Sequence, residues 1–166
     1  MFFYTADTSY NHFVKDMKTM PGKEKSCGVI LFRMQEGNIQ TLLIHQHQGH
    51  WCFPKGHMKQ GETERQTAAR EVQEETGVKV RFLNGFRETT HYRLKENTEK
   101  EVVFFAGVPA GGKEKRQKEE VLEMKWLSLS EAQAVLTFPS DAEVLKKAFR
   151  FLKQQGGKDL LKEHES

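Results

Sequence analysis

The segment from residue 56 to residue 78 constrains the fold of this chain most, because it specifies a helix together with both of its ends. Thr63 followed by Gln66 is a capping-box pattern, which is typical of the first turn of a helix. Gly77 is a residue that takes, without strain, the left-handed conformation in which many helices end. Together these signals predict a helix from about residue 64 to residue 76.

One face of this predicted helix is acidic. At about 100° per residue, Glu71, Glu74 and Glu75 project within an arc of roughly 100°. The adjoining stripe, which is expected to face a core, consists of Ala68, Val72 and Thr76. Like charges at these spacings repel by roughly 0.2 to 0.5 kcal/mol per pair, so a compensating cation is expected. A divalent cation such as Mg²⁺ fits best, because it takes oxygen ligands and keeps waters that a substrate phosphate can displace. The alternative is a solvated acidic helix face.

The segment resembles the Nudix box at every constrained position. The matching positions are Gly56, Glu62, Arg70, Glu71, Val72, Gln73, Glu74, Glu75, Thr76, Gly77 and Val78. Residues 26–33 look like the opening strand of asymmetrical diadenosine tetraphosphate hydrolases, and residues 50–57 look like the stretch that leads into their box. The resemblance covers roughly residues 26–152 and implies an α/β Nudix fold, in which a mixed β-sheet is sandwiched between α-helices.

The rest of the chain suits one domain of this kind. Strands are predicted over residues 27–33, 41–45, 78–86, 88–94, 102–108 and 123–127, with a turn at residues 36–38. Two later helices are predicted from capping-box patterns at Ser128 and Ser140, and Gly156–Gly157 is expected to close the second. We expect an N-terminal extension over residues 1–24, a Nudix hydrolase domain over residues 25–155 and a flexible C-terminal tail over residues 156–166.

Composition excludes some classes of protein. The net charge of +3 results from 26 basic and 23 acidic residues, a near balance that does not suggest a non-specific nucleic-acid binder. Cys27 and Cys52 form no disulfide framework or metal-ligand pair of recognisable spacing, and they are expected to be buried and reduced. No apolar run approaches the length of a membrane-spanning helix, and no signal peptide is evident, so a cytoplasmic location is expected.

The resemblance implies a set of metal-binding and catalytic residues. Glu71, Glu74 and Glu75 would be the acidic ligands or water-activating groups, and the backbone carbonyl of Gly56 a further ligand. Arg70 can hold an acid that does not bind metal, and Glu120 resembles the extra acid that several Nudix hydrolases bring from a loop. Two or more Mg²⁺ ions are expected, with Mn²⁺ as the alternative metal. Glu71 and Glu75 are both candidates for the general base, and Glu62 is expected to support the loop and the helix start.

Residues outside the box are expected to bind the substrate. Lys55 can neutralise a phosphate oxygen, and Lys100 matches a lysine that precedes a strand in the diadenosine tetraphosphate hydrolases. His50 and His57 are candidate donors to phosphate or structural loop histidines. Base recognition is expected from aromatic stacking by Tyr92, which aligns with the family's stacking tyrosine, and by an aromatic near the end of the last helix. That second aromatic is Phe151, which falls off the predicted packing stripe of Leu145, Ala148, Phe149 and Leu152.

These assignments favour a magnesium-dependent hydrolase that splits a dinucleoside polyphosphate, preferably diadenosine tetraphosphate into ATP and AMP. An alternative is pyrophosphate removal from an RNA 5′ end, for which Lys113, Lys115, Arg116 and Lys118 are the only dense basic candidates. Nucleoside triphosphates and diphosphoinositol polyphosphates are further candidate substrates. A non-catalytic nucleotide-binding Nudix module is disfavoured, because such a module has no need of the mutually repelling acids.

Overall fold

The computed structural model describes residues 23–94 and 97–163. The strands in these ranges are β1 (Lys23–Gln35), β2 (Asn38–Gln46), β3 (Trp51–Cys52), β4 (Lys55–His57), β5 (Val78–Arg93), β6 (Glu99–Gly112) and β7 (Val121–Ser128). The helices are α1 (Glu64–Thr76), α2 (Leu129–Val135), α3 (Pro139–Gln154) and α4 (Lys158–Lys162). Residues 1–22 of the expected N-terminal extension lie outside the described residues, and its last two residues begin β1. None of the described helices is long and apolar enough to cross a membrane.

The strands form a mixed sheet, as predicted. Its main order is β3-β2-β1-β6-β5, with β4 paired to β1 and β7 paired to β2. β1 runs parallel to β6 and antiparallel to β2 and β4. β1 therefore occupies the centre, and every other strand is attached to it directly or through one neighbour.

Alternate residues of β1 face two different helical layers. Cys27, Val29 and Leu31 pack in one cluster with the Ala68–Val72 stripe of α1. Ile30 and Phe32 pack in the other cluster, which contains Leu145, Ala148 and Leu152 of α3. Because successive side chains of a strand point to opposite faces, β1 buries both of its faces, and the sheet lies between the helices. This arrangement confirms the predicted architecture, a mixed β-sheet between α-helices.

Helix α1 has the bounds that its sequence signals predict. The Thr63 side chain accepts a hydrogen bond from the backbone N–H of Gln66, and the Gln66 side chain accepts one from the backbone N–H of Thr63. At the other end Gly77 has φ 77°, and its N–H donates to the carbonyl of Gln73. Local hydrogen bonds thus set both ends of the helix, independently of its packing.

Some element boundaries differ from the prediction. Residues 78–94 were expected to form two strands, but β5 is continuous and contains a register shift between Leu83 and Arg87. Gly85, with φ 107°, lies within that shift and allows the strand to bend without ending. Strand β6 extends to Gly112, into what was expected to be a loop, because its end pairs with the start of β5.

The start of α3 corrects a second prediction. Ser140 is not the cap: the N-cap is Phe138, no side chain caps the helix, and Pro139 occupies the first turn. Proline suits that position because its missing N–H has no helical partner to lose. The Ser140 hydroxyl instead donates to the Tyr92 hydroxyl at 3.1 Å.

The expected C-terminal tail contains α4. Its Leu161 is only 2% exposed and belongs to the same core cluster as α3. The sequence suggested a flexible segment because these residues follow the last predicted helix and are largely charged or polar, but the chain turns at Gly156 and Gly157, with φ 122° and 56°, and packs back against the domain. Residues 164–166 lie outside the described part of the chain.

Candidate active site

Two glycines allow β4 to lie close to both β1 and α1. A Cβ atom at Gly28 would overlap the carbonyl of Pro54, and one at Gly56 would overlap the carboxylate of Glu71. The pairing of β1 with β4 places Lys55 opposite Gly28 and Gly56 opposite Cys27. The main chain at Gly56 therefore lies directly against the acidic face of α1, an approach that any larger residue would block.

Arg70 connects the loop after β4 to the acidic face. Its guanidinium donates to both carboxylate oxygens of Glu62 at 2.7 and 3.0 Å and to the carbonyl of His57 at 2.9 Å. The Nη1 atom also donates to Glu71 at 2.8 Å and to Glu74 at 3.0 Å. These hydrogen bonds, above all those to Glu62, raise the pKa of Arg70. One cation thus positions two of the three predicted acidic ligands and the backbone leading to them.

Glu62 supports the loop and the helix start, as the sequence suggested. Besides its two bonds to Arg70, it accepts hydrogen bonds from the backbone N–H of Lys59 at 2.9 Å and from the Thr67 hydroxyl at 3.2 Å. The bonds from Arg70 are the main reason that the pKa of Glu62 is lowered from 4.5 to about 2. The carboxylate is fully engaged with the protein, which leaves it a structural role.

Glu75 lies in a different environment from the other acids. Its side chain is 2% exposed, and one oxygen accepts a hydrogen bond from the backbone N–H of Lys55 at 3.1 Å. Burial, followed by the negative charges of Glu71 and Glu120, raises the pKa of Glu75 from 4.5 to about 8. Glu74, by contrast, has an exposed side chain. The acidic face therefore includes a buried carboxylate, Glu75, and a solvent-exposed one, Glu74.

The loop before β7 brings Glu120 to this face. The backbone N–H of Lys115 donates to the carbonyl of Thr76 at 2.8 Å, and that of Gln117 donates to the carbonyl of Glu75 at 3.0 Å. The carbonyl of Glu120 in turn accepts from the N–H of His47 at 3.1 Å. These bonds tie the loop to the end of α1 and to β2, and they place the Glu120 charge close enough to act on Glu75.

The same loop carries the basic residues considered for RNA. Arg116 donates to the carbonyl of Val121 at 2.9 Å, and this bond stabilises the turn that leads into β7. The Lys118 carbonyl contacts the ring of His47 at 2.8 Å. The side chains of Lys113, Lys115 and Lys118 are exposed. One of the four basic residues is therefore engaged within the loop itself.

The donors at this site fit a hard divalent cation. The Glu71 carboxylate lies directly against the main chain of Gly56, and Glu75 accepts a hydrogen bond from the N–H of the preceding residue, Lys55. Both carboxylates and the main-chain carbonyl offer oxygen. Among residues 23–94 and 97–163, no three His, Cys, Asp or Glu side chains are gathered closely enough to form a metal site by themselves. Backbone and substrate oxygens would therefore have to complete the coordination, as is usual for Mg²⁺ bound together with phosphates.

Predicted phosphate-binding and stacking residues gather on the α3 side of the sheet. Tyr92 and Lys100 are register partners on β5 and β6, so their side chains lie on the same face. Burial, and then the positive charge of Lys55, lowers the pKa of Lys100. The Tyr92 ring lies 5.6 Å from that of Phe138, and Phe138 lies 4.9 Å from the ring of His50. We call His50, Tyr92 and Phe138 the aromatic group.

Two residues that were predicted to bind the substrate, Phe151 and His57, do not belong to the aromatic group. Phe151 was expected to face a cleft, but its ring packs against Phe86 at 5.6 Å and covers Gly85, where β5 bends. It is therefore a packing residue on the far part of α3, about 15 Å along the helix from the first turn. The His57 side chain is exposed and lies 3.9 Å from Glu24, and the His57 carbonyl accepts a hydrogen bond from Arg70.

Sequence reasoning missed two residues of this region. Phe138 precedes the helix-starting proline and carries no motif that distinguishes it from a core residue. Asp141 lies in the first turn of α3, where an acid is ordinarily explained by the helix dipole. The structure shows instead that Asp141 is fully buried and that its Oδ1 accepts a hydrogen bond from the Tyr92 hydroxyl at 2.9 Å. Only this contact, between residues far apart along the chain, identifies Asp141 as part of the region around Tyr92.

Comparison with known proteins identifies relatives over most of the chain. The NUDIX domain family model matches residues 22–148. The asymmetrical bis(5′-nucleosyl)-tetraphosphatase of Mus musculus is 32% identical over 139 residues, which covers 77% of this chain and 95% of the relative. The corresponding protein of Sus scrofa is 33% identical over the same length. A crystal structure of a C. elegans Ap4A hydrolase binary complex has a TM-score of 0.73 and 27% identity, and the match covers 79% of this chain and 98% of that one.

Proposed function

The chain belongs to the NUDIX family, whose hydrolases act on phosphoanhydrides, and we propose that it cleaves a dinucleoside polyphosphate, preferably diadenosine tetraphosphate, into ATP and AMP. The names of the Mus musculus and Sus scrofa relatives, asymmetrical bis(5′-nucleosyl)-tetraphosphatases, motivate the substrate. One observation about the chain itself carries the proposal. Acidic groups that suit metal-assisted hydrolysis lie next to Lys55, whose charge also acts on Lys100 beside the aromatic group.

This arrangement provides separate places for the parts of the substrate. We assign Lys55 and Lys100 to phosphate oxygens, because an ammonium neutralises phosphate as a compact charge. The aromatic group supplies faces on which a nucleobase can stack, an interaction worth roughly 1 to 3 kcal/mol per base. A substrate that carries a nucleoside at the end of a polyphosphate matches both regions at once.

The acids surround the place where the phosphoanhydride would be cleaved. Glu71, Glu74, Glu75, Glu120 and the carbonyl of Gly56 would hold Mg²⁺, which when bound neutralises phosphate charge and lowers the pKa of water. Arg70 keeps Glu71 and Glu74 oriented. We retain both Glu71 and Glu75 as candidates for the group that accepts the proton of the attacking water.

The direct test is hydrolysis. The purified chain is incubated with MgCl₂ and, in separate reactions, diadenosine tetraphosphate, ATP, triphosphorylated RNA and a diphosphoinositol polyphosphate, and the products are separated by anion-exchange chromatography. Equal amounts of ATP and AMP from the first substrate are expected. Cleavage of RNA alone, or of ATP in preference to the dinucleotide, would overturn the proposed substrate. Nucleotide binding without any turnover would overturn the enzymatic assignment.

A matched pair of variants separates catalysis from folding. Glu74→Gln removes an acid that is ion-paired to Arg70 at 3.0 Å, and Glu143→Gln removes an acid that is ion-paired to Lys146 at 3.0 Å on α3. Both positions are exposed, so neither change is expected to alter stability by more than about 1 kcal/mol. Glu74→Gln is expected to lower kcat by orders of magnitude, whereas Glu143→Gln leaves kcat unchanged. Equal activity of the two variants would contradict a role for Glu74 at the metal.

A further inference from the structure

Asp141 is a buried acid that no part of the proposed hydrolysis requires. It lies in the first turn of α3, it is completely buried, and its Oδ1 accepts the hydrogen bond from the Tyr92 hydroxyl at 2.9 Å. Its other oxygen, Oδ2, has no hydrogen-bond partner among the described residues. Burying a carboxylate with one oxygen unsatisfied opposes folding, so stability alone does not explain an acid at this position.

The surroundings of Asp141 connect it to both substrate-binding regions. The Ser140 hydroxyl donates to the same Tyr92 oxygen at 3.1 Å, so the phenol is held by two neighbouring residues of one helix turn. The positive charge of Lys55 reaches Asp141 from β4, where it opposes the effect of burial on the Asp141 pKa. Lys100, the register partner of Tyr92, lies on the same face of the sheet. Asp141 thus forms a hydrogen bond with Tyr92, the proposed stacking residue, and interacts electrostatically with Lys55, a proposed phosphate-binding residue.

The orientation of Tyr92 depends on these two hydrogen bonds. Its ring is tilted by 58° to that of Phe138, and the side chain is only partly buried, so packing covers one part of the ring and leaves another accessible. A phenol anchored at its oxygen can no longer swing about its Cα–Cβ bond, so the position and long axis of the ring are fixed, and the neighbouring ring of Phe138 restrains rotation about that axis. Fixing the ring before binding reduces the entropy that is lost when a base stacks on it.

We propose that Asp141 is a positioning residue that holds the Tyr92 ring in the orientation required to stack on the substrate's nucleoside. The inference rests on the proposed function and deepens it, because it assigns nucleoside recognition to the first turn of α3 as well as to β5. Asp141 acts through Tyr92 and does not touch the reacting phosphate. Its loss should therefore weaken binding of the nucleoside and leave the chemical step intact.

The test compares AMP binding with turnover. AMP is titrated calorimetrically into the wild-type chain and into Asp141→Ala, Asp141→Asn, Tyr92→Phe and the Asp141→Ala/Tyr92→Phe double variant, and kcat and KM are measured with diadenosine tetraphosphate. Glu143→Gln, on the same helix with its side chain 63% exposed, is the control and should match the wild type. Melting temperatures establish that each variant is folded.

The hydrogen bonds of Tyr92 predict how each variant should change AMP affinity and KM. Asp141→Ala should weaken AMP binding and raise KM by roughly threefold to tenfold, as expected for one net hydrogen bond. Tyr92→Phe, which loses the hydrogen bonds to both Asp141 and Ser140, should weaken AMP binding and raise KM at least as much, and kcat should stay within about twofold in both variants. Asp141→Asn keeps an acceptor for the phenol and should bind AMP within about twofold of wild type. The double variant should resemble Tyr92→Phe, because loss of the phenol already removes the hydrogen bond to Asp141 together with the one from Ser140.

Distinct outcomes overturn the inference and the function on which it rests. If the wild-type chain is active but folded Asp141→Ala binds AMP normally, or if the two losses multiply in the double variant, the positioning role is wrong. If Asp141→Ala fails to fold, the other two variants still test the inference. Normal AMP binding by Tyr92→Phe would contradict it, and so would weakened AMP binding by Asp141→Asn. A wild-type chain that neither binds AMP nor cleaves the dinucleotide overturns the proposed function itself.

Discussion

Replacing Glu75 with glutamine should stabilise the metal-free protein at neutral and alkaline pH. The Glu75 carboxyl is 2% exposed and close to the negative charges of Glu71 and Glu120, and its pKa is raised from 4.5 to about 8. In the unfolded chain this group loses its proton near pH 4.5, whereas the folded chain retains it until about pH 8. The folded state therefore binds more protons between these values, and its stability falls as the pH rises through that window.

The size of the effect follows from the two pKa values. One pKa unit corresponds to about 1.4 kcal/mol, so the whole difference approaches about 5 kcal/mol well above pH 8, and about 3 kcal/mol of it is reached at pH 7. A glutamine has the same shape and no charge, and its oxygen can still accept the hydrogen bond from the N–H of Lys55. The free energy of unfolding of Glu75→Gln should therefore exceed that of the wild type by up to about 3 kcal/mol at pH 7 and equal it near pH 4.5.

The assay is urea unfolding in EDTA at several pH values between 4.5 and 8.5, followed by circular dichroism. Glu74→Gln is the control, because Glu74 is on the same helix with its side chain 48% exposed, where solvent screens its charge. The difference in unfolding free energy between Glu75→Gln and the wild type should grow steadily with pH. The difference between Glu74→Gln and the wild type should change far less. A Glu75→Gln variant whose stability runs parallel to that of the wild type over this range would refute the account. Hydrolytic activity should be lost in the same variant.

Three further outcomes test other parts of the structure. Gly56→Ala should lower kcat by roughly a hundredfold or more without loss of circular dichroism, because its methyl group would overlap the Glu71 carboxylate and displace it; near-normal activity would show that the close approach is dispensable. Glu62 has its pKa lowered to about 2, so it stabilises the wild type above about pH 4.5 and this contribution disappears towards pH 2. Glu62→Gln should therefore show a flatter dependence of stability on pH in that window, and unchanged curves would argue against the Arg70 pairing. Leu161→Ala should cost roughly 2 to 5 kcal/mol in urea unfolding if α4 packs as described, and no loss would indicate a detached tail.

Helix α1 could be predicted from sequence because its determinants are local. A capping box and a left-handed glycine are both satisfied within a few residues, so Thr63, Gln66 and Gly77 define α1 whatever packs against it. The predicted core stripe of Ala68 and Val72 is buried for the same reason, since helical periodicity is a local property. Ser140 shows the limit of such reasoning, because its capping pattern is present but a proline one residue earlier already starts the helix.

What the sequence determined by itself was the extent of α1 and the residues of its acidic face, because these depend on residues at fixed spacing on one helix, and the resemblance of that spacing to the Nudix box implied the reaction class. What only the tertiary structure decided was the environment of each residue: that Glu75 is buried while Glu74 is solvated, that Phe151 packs against the bend at Gly85, and that Asp141 anchors Tyr92. These contacts join residues that are far apart along the chain. Burial and charge at a site depend on which segments meet there, and no local pattern records that.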